Sequence, residues 1–206
     1  MSFAEDLQKY VPQYLSADDK KALFDNLKAI GSGAGNPSYS MGSYPAELAD
    51  AMLQGDGWRG LQAYVYQLGQ LRTIKALILS NSCDIAPDNR RDTPPRVTFA
   101  PLVRLSKFEE LLKSNGIPAD AVAQKINDIR AQKTTNVFFL PSGGKIDDDY
   151  IVRLDEAQSM PLSIYDQQDD NEKLFTLNGT GFYMLVFKLS VHFCRLHEGV
   201  NRSVGD

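Results

Sequence analysis

Reactive side chains are scarce in this sequence. Two cysteines, Cys83 and Cys194, among 206 residues exclude a disulfide framework. Two histidines, His192 and His197, with no CxxC or HExxH spacing, leave no metal centre to expect, and no cofactor is expected. Neither GxxxxGK[ST] nor GxSxG occurs, so a phosphate-cradling loop and a nucleophile elbow are absent. Charge of one sign is not in excess. The chain carries 22 basic and 26 acidic residues, a formal net charge of −4 and a pI near 5.2. That balance argues against a protein that coats a nucleic acid. The longest purely apolar run, residues 182–187, stops at Lys188, so no membrane span and no membrane partner are expected. The first residues lack the basic and apolar regions of a signal peptide, and a cytoplasmic location is expected.

What is present is an ordinary globular composition, 43% hydrophobic and 23% charged, in a length that suits one domain over residues 1–206. Residues 1–45 read as a helical extension and loop. Ser16 suits a helix cap, Asp18 and Asp19 its first turn, and Leu23, Leu27 and Ile30 recur at helical spacing before Gly31. Residues 31–44, rich in Gly, Ser, Asn, Pro and Tyr, read as a linker before they read as a lid. Short apolar runs bounded by turn residues then predict strands at 61–66, 73–79 and 96–104.

A helix pair over 106–133 interrupts the strands. Ser106 and Glu109 have capping-box spacing, Gly116 suits a terminator, and Pro118 suits the first turn of the second helix. Val122, Ile126 and Ile129 lie on one face of that helix. Strands resume at 137–140, 150–154 and 173–177, so barrel strands are expected within 54–105 and 136–178. A terminal helix over 179–197 carries Phe182, Leu185, Val186, Leu189, Phe193 and Leu196 at helical spacing, with Tyr183, Met184 and Phe187 on its other faces. A helix apolar nearly all round is expected to be buried, with the sheet on one side and a second subunit on the other. Trp58 reads as core. The fold class is α+β, with a mainly antiparallel sheet that could close into a small barrel.

The net charge hides two opposed regions. Residues 85–107 hold five basic and two acidic side chains; residues 146–172 hold nine acidic and one basic. Arg90, Arg91 and Arg96 in the basic loop are candidate phosphate or nucleic-acid contacts, though a solvated loop is the plainer reading. The Asp147-Asp148-Asp149 run lacks the spacing of a calcium loop and reads as a solvated turn.

The most distinctive segment is Ser80-Asn81-Ser82-Cys83-Asp84-Ile85, where an apolar run opens into a polar cluster. Ser80, Asn81 and Ser82 are candidate binding groups. Cys83 is a candidate nucleophile, with His192 or His197 as base and Asp84 as orienter. Against that, an adjacent carboxylate disfavours the thiolate. Asp84 also suits a turn closed by its own side chain.

Between residues 54 and 105 the chain resembles the PemK/MazF type of toxin. The resemblance rests on Gln54-Gly55-Asp56-Gly57-Trp58, on Arg72 leading into an apolar strand that ends in Ser80-Asn81, and on Val97-Thr-Phe-Ala-Pro101. It implies an SH3-like barrel, a toxin–antitoxin or defence setting, and metal-independent RNA cleavage. Arg72 matches the family's catalytic arginine, but Val103-Arg104 stands where the family has a hydroxyl. Under that reading Arg72 or Arg104 would stabilise charge at the phosphate, and Tyr64 or Tyr66 would stack on bases. The chain also resembles a looser set of bacterial proteins with a Ser-x-x-Cys-Asp-Ile segment. Three classes stay open: a binding module with a protein partner or a second copy, a ribonuclease with RNA as its partner, and a Cys-dependent hydrolase.

Overall fold

The computed structural model describes residues 48–89 and 92–193, together with Lys21 and Asp25, which are both helical. The rest of the expected N-terminal helix, the 31–44 loop, Arg90, Arg91, Cys194 and His197 lie outside the described residues.

Strands β1 (Gly57–Val65) and β2 (Gln70–Ile78) form a hairpin, followed by a one-turn helix α1 (Ser82–Ile85) and strand β3 (Arg96–Arg104). Helices α2 (Leu105–Ser114) and α3 (Ala119–Arg130) precede β4 (Val137–Leu140) and β5 (Tyr150–Arg153). A 3-10 turn (Leu154–Glu156), β6 (Gln158–Pro161), α4 (Leu162–Tyr165), β7 (Glu172–Phe175) and α5 (Gly179–Phe193) complete the described order. The fold is α+β. Its sheet runs β4-β5-β3-β2-β1-β7, with β6 also on β3, and every strand pairing is antiparallel.

Strand β3 is the hub. Residues 96–99 pair with β6, 99–101 with β2, and 102–104 with β5. The sheet is open, where a closed barrel was one expectation. Strand β6 reaches the outer edge of β1 through side chains alone. Gln62 N–H donates to Met160 Sδ, and the Gln158 amide exchanges two bonds with the Tyr64 backbone (2.8 and 3.1 Å).

Alternation along the strands explains three cores. From β4, Phe138 and Leu140 join Leu77, Ala100, Val152, Phe175 and Leu185 of α5, whereas Val137 and Phe139 face Leu112, Val122, Ile126 and Ile129 of the helix pair. The continuous apolar run Val137–Leu140 is thus buried on both faces. A third cluster gathers Trp58, Leu61, Ala76, Ile78, Val97, Phe99 and Met160. Two glycines fix β1. A Cβ on Gly57 would lie 2.1 Å from the Phe175 ring, and Gly60 (φ +98°) sits at the register shift, where a Cβ would lie 2.2 Å from Asn171 Oδ1.

Several sequence expectations need correction. Ser106 does not cap α2. The helix begins at Leu105, whose N–H donates to the Asp149 carbonyl, while Ser106 Oγ donates to Asp148 and Glu109 pairs with Lys113. Pro118 precedes the first turn of α3 rather than standing in it. The strand expected over 150–154 ends at Arg153, and that over 173–177 ends at Phe175. Helix α5 turns Gly181, Met184, Leu185 and Lys188 inward, whereas Val186 and Phe193 are exposed in the single chain, on the side where a second subunit was expected.

Candidate functional site

The Ser80–Ile85 segment stands at the end of β2, and its polar atoms are mostly spent on holding the chain. Ser80 Oγ accepts from Thr98 N–H (2.7 Å), and the Leu79 and Ser80 N–H groups both donate to the Thr98 carbonyl. Ser82 Oγ accepts from Gln54 N–H (2.9 Å), and Gln54 Nε2 returns a bond to the Leu79 carbonyl (2.8 Å). Asn81 Oδ1 accepts from Cys83 N–H and caps α1, the turn-closing role that the sequence suggested for Asp84. Asn89 Nδ2 donates to the Cys83 carbonyl. Cys83 is an exposed thiol, Asp84 is exposed, and Ile85 anchors the turn in the core.

Beside this segment lies a buried ion pair that the sequence did not disclose. Asp56 and Lys173, both almost wholly inaccessible, meet at 2.9 Å. Asp56 Oδ2 also accepts from Leu53 N–H, and Lys173 Nζ donates to the Leu48 carbonyl and stands 5.3 Å from the Trp58 ring centroid. Asp56 Oδ1 and Trp58 Nε1 are buried without hydrogen-bond partners among the described residues. The Gly-Asp at the start of β1 therefore fastens the 48–56 segment to β7. Its partner is 117 positions away in the sequence, and only the Asp half was visible.

The candidate arginines stand elsewhere. Arg72 is six residues before the end of β2, roughly 20 Å away at about 3.3 Å per strand residue. Arg104 is three residues beyond the last β3 residue paired with β2, toward the Arg72 end. The fold therefore splits the candidates into two groups at opposite ends of β2: Ser80, Asn81, Ser82, Cys83 and Asp84 at one, Arg72 and Arg104 at the other. Arg96, the first residue of β3, donates to the Ser159 side chain and carbonyl. His192 lies edge-on to Phe193 on α5.

Around Arg104 is a cationic group that the sequence analysis missed. Arg104 Nε (3.2 Å) and Lys75 Nζ (3.5 Å) both donate to the Tyr150 hydroxyl oxygen. Arg104 also holds both Asp147 oxygens, and Tyr150 and then Asp147 strengthen its hold on its proton. Glu172 links Lys145 (2.9 Å) and Arg59 (3.2 Å), and the bonded Lys145 ammonium holds its carboxyl below the ordinary range. The acidic stretch is thus largely paired, with Asp149 on Arg130 and both Asp155 and Glu156 on Arg153. Among the described residues no group of three or more His, Cys, Asp or Glu could hold a metal ion, and no helix is long and apolar enough to cross a membrane.

Two further surfaces are open. A pocket of about 550 Å³ beside α1 and α4 is lined by Ile85, Pro87, Pro94, Pro95 and Leu162, with Asp92 and Asp166 also in its lining. The tip of the β1–β2 hairpin exposes Tyr64 (40%), Tyr66 (79%), Leu68 (57%) and Leu71 (60%), and Tyr64 and Tyr66 stack edge-on with centroids 4.9 Å apart. Strand β3 covers β2 only at residues 76–78, so the outer edge of β2 over residues 70–75 has no strand beside it among the described residues. No family model matches the chain, and no curated protein does.

Proposed function

We propose that the protein is a non-catalytic binding module that docks an extended segment of a partner protein on the β1–β2 hairpin. One observation carries this reading. Four large apolar side chains stand exposed on one hairpin whose β2 edge has no neighbouring strand over residues 70–75 among the described residues. Such an edge offers backbone donors and acceptors in register, and alternate side chains grip the added strand. Tyrosine and leucine at the tip supply apolar area, with tyrosine favoured at energetic centres of interfaces. Arg72, exposed on the same strand, sets polarity at the rim.

The scaffold in this proposal is a PemK-like barrel. Its support is the bridging of β6 to β1 by Gln158 and Met160, which brings the two strand edges together without a backbone ladder. A binding role is favoured over a ribonuclease because Val103-Arg104 stands where that chemistry needs a hydroxyl, and over a cysteine hydrolase because the Asp84 carboxylate adjoins Cys83 and the hydroxyls of Ser80 and Ser82 accept backbone bonds.

The test is selection from a displayed library of extended peptides on the full chain. Selected peptides should bind wild type at least tenfold more tightly than the Tyr66→Ser/Leu71→Lys variant, about 1.4 kcal/mol or more. A proline placed within the bound peptide should abolish binding. If every selected peptide binds the variant equally well, the hairpin is not the docking surface. If wild type instead forms a concentration-dependent dimer that the variant lacks, the occupant is a second copy.

A further inference from the structure

We infer that Lys75, Arg104 and Tyr150 form a binding site for a phosphate group, separate from the hairpin tip. Tyr150 is 3% exposed, and its hydroxyl oxygen accepts from Lys75 Nζ and Arg104 Nε. Ammonium and guanidinium groups have no acceptor lone pair, so neither can take the phenolic proton. No described residue accepts that proton. The O–H of a nearly buried tyrosine, flanked by two cations, thus has no acceptor among the described residues, and an anion seated between the cations would supply one.

Charge points the same way. Lys75 is half-buried, its one hydrogen bond is to Tyr150, and it acts on Glu172 by charge without forming an ion pair with a described carboxylate. Arg59 stands directly across from Lys75 in the β1–β2 register, and Lys145 joins through Glu172. The carboxylates here are already engaged: Asp147 by Arg104, Glu172 by Lys145 and Arg59, and Asp148 by the Ser106 hydroxyl. A phosphate dianion has several acceptor oxygens for three differently placed donors, whereas a carboxylate has two. The ammonium of Lys75, the guanidinium of Arg104 and the hydroxyl of Tyr150 come from β2, the end of β3 and the start of β5, so packed strands hold the set in place.

Calorimetric titration of the full chain tests the site. Inorganic phosphate and phenyl phosphate, run separately, distinguish a free ion from a phosphomonoester. Acetate at matched ionic strength is the control. The expected result is binding of one or both phosphates, about tenfold weaker in Tyr150→Phe, as fits one charge-assisted hydrogen bond, and lost in Lys75→Met. Exposed Lys125→Met should bind as wild type. The proposal is overturned if neither phosphate binds, if acetate binds equally, or if Lys125→Met weakens binding as much as Lys75→Met. It is also overturned if only a single-stranded RNA binds and Tyr150→Phe and Lys75→Met leave that binding unchanged.

Discussion

The two ends of strand β2 use their side chains in opposite ways. At the Ile78 end, Ser80, Asn81 and Ser82 give their side-chain oxygens to backbone N–H groups, and the Asp56–Lys173 pair lies buried beside them. At the Gln70 end, eight successive residues from Tyr66 to Thr73 are exposed, and leucine and tyrosine face solvent. The end with the more unusual sequence is the structural one. A polar cluster at a strand end invites a catalytic reading, yet buried or edge N–H groups need acceptors, and a serine or asparagine one turn away is the cheapest source. Apolar residues exposed together serve no packing need among the described residues, which is why the hairpin is the proposed docking surface.

The largest test of this contrast is Asp56→Ala. It leaves the Lys173 ammonium buried without its carboxylate, and the variant should lose about 3–5 kcal/mol of stability in urea unfolding. A loss below about 1 kcal/mol would mean that the buried pair does not secure this end.

Lys188 extends the contrast between tied and untied groups to α5. Burial pushes its pKa down to about 8, from 10.5. Its ammonium makes no ion pair with a described carboxylate and donates to the Thr134 and Val137 carbonyls. Between those two pKa values the unfolded chain binds more protons than the folded one, so stability rises with pH. Tyr165, whose hydroxyl burial and then Asp166 push upward, opposes this above pH 10. From pH 7.5 to 10 the Lys188 contribution is a gain of about 2 kcal/mol. Unfolding curves at those two values should show it, and Lys188→Met should remove it.

Smaller effects separate neighbours within the structural end. Ser80→Ala withdraws the acceptor of Thr98 N–H and should cost about 1–2 kcal/mol. Cys83→Ser, at an exposed position three residues on, should stay within about 0.5 kcal/mol. Equal losses from both would break the distinction between a hydroxyl that holds a strand N–H and an exposed thiol.

Local pattern made some of this fold legible. Apolar runs marked β1 to β4, and β3 coincides with the run at 96–104 because Pro94-Pro95 precede it and Arg96 and Arg104 end it. The spacing of Val122, Ile126 and Ile129 marked the buried face of α3. Strand β6 was invisible, since Gln158-Ser-Met-Pro161 buries only Met160 and shows no period. Helices α1 and α4 are single turns, too short for a helical pattern. The site was less legible still. Lys75 looked like an ordinary strand lysine, and Tyr150 like a strand aromatic, until register placed Arg104 opposite Tyr150. Lys188 looked like the polar end of an apolar run, although it is buried. Tyr64 and Tyr66 fit a strand pattern equally well inside or outside a core; only the short overlap of β3 with β2 leaves their hairpin in solvent.

The hairpin is proposed to be a binding surface that contributes little to folding. The direct measurement is the affinity of a selected extended peptide for wild type and for Tyr66→Ser/Leu71→Lys, with the melting temperature of each. The account predicts at least a tenfold loss of affinity with stability changed by no more than about 0.5 kcal/mol. Unchanged affinity, or a loss that merely follows unfolding of the variant, would contradict it.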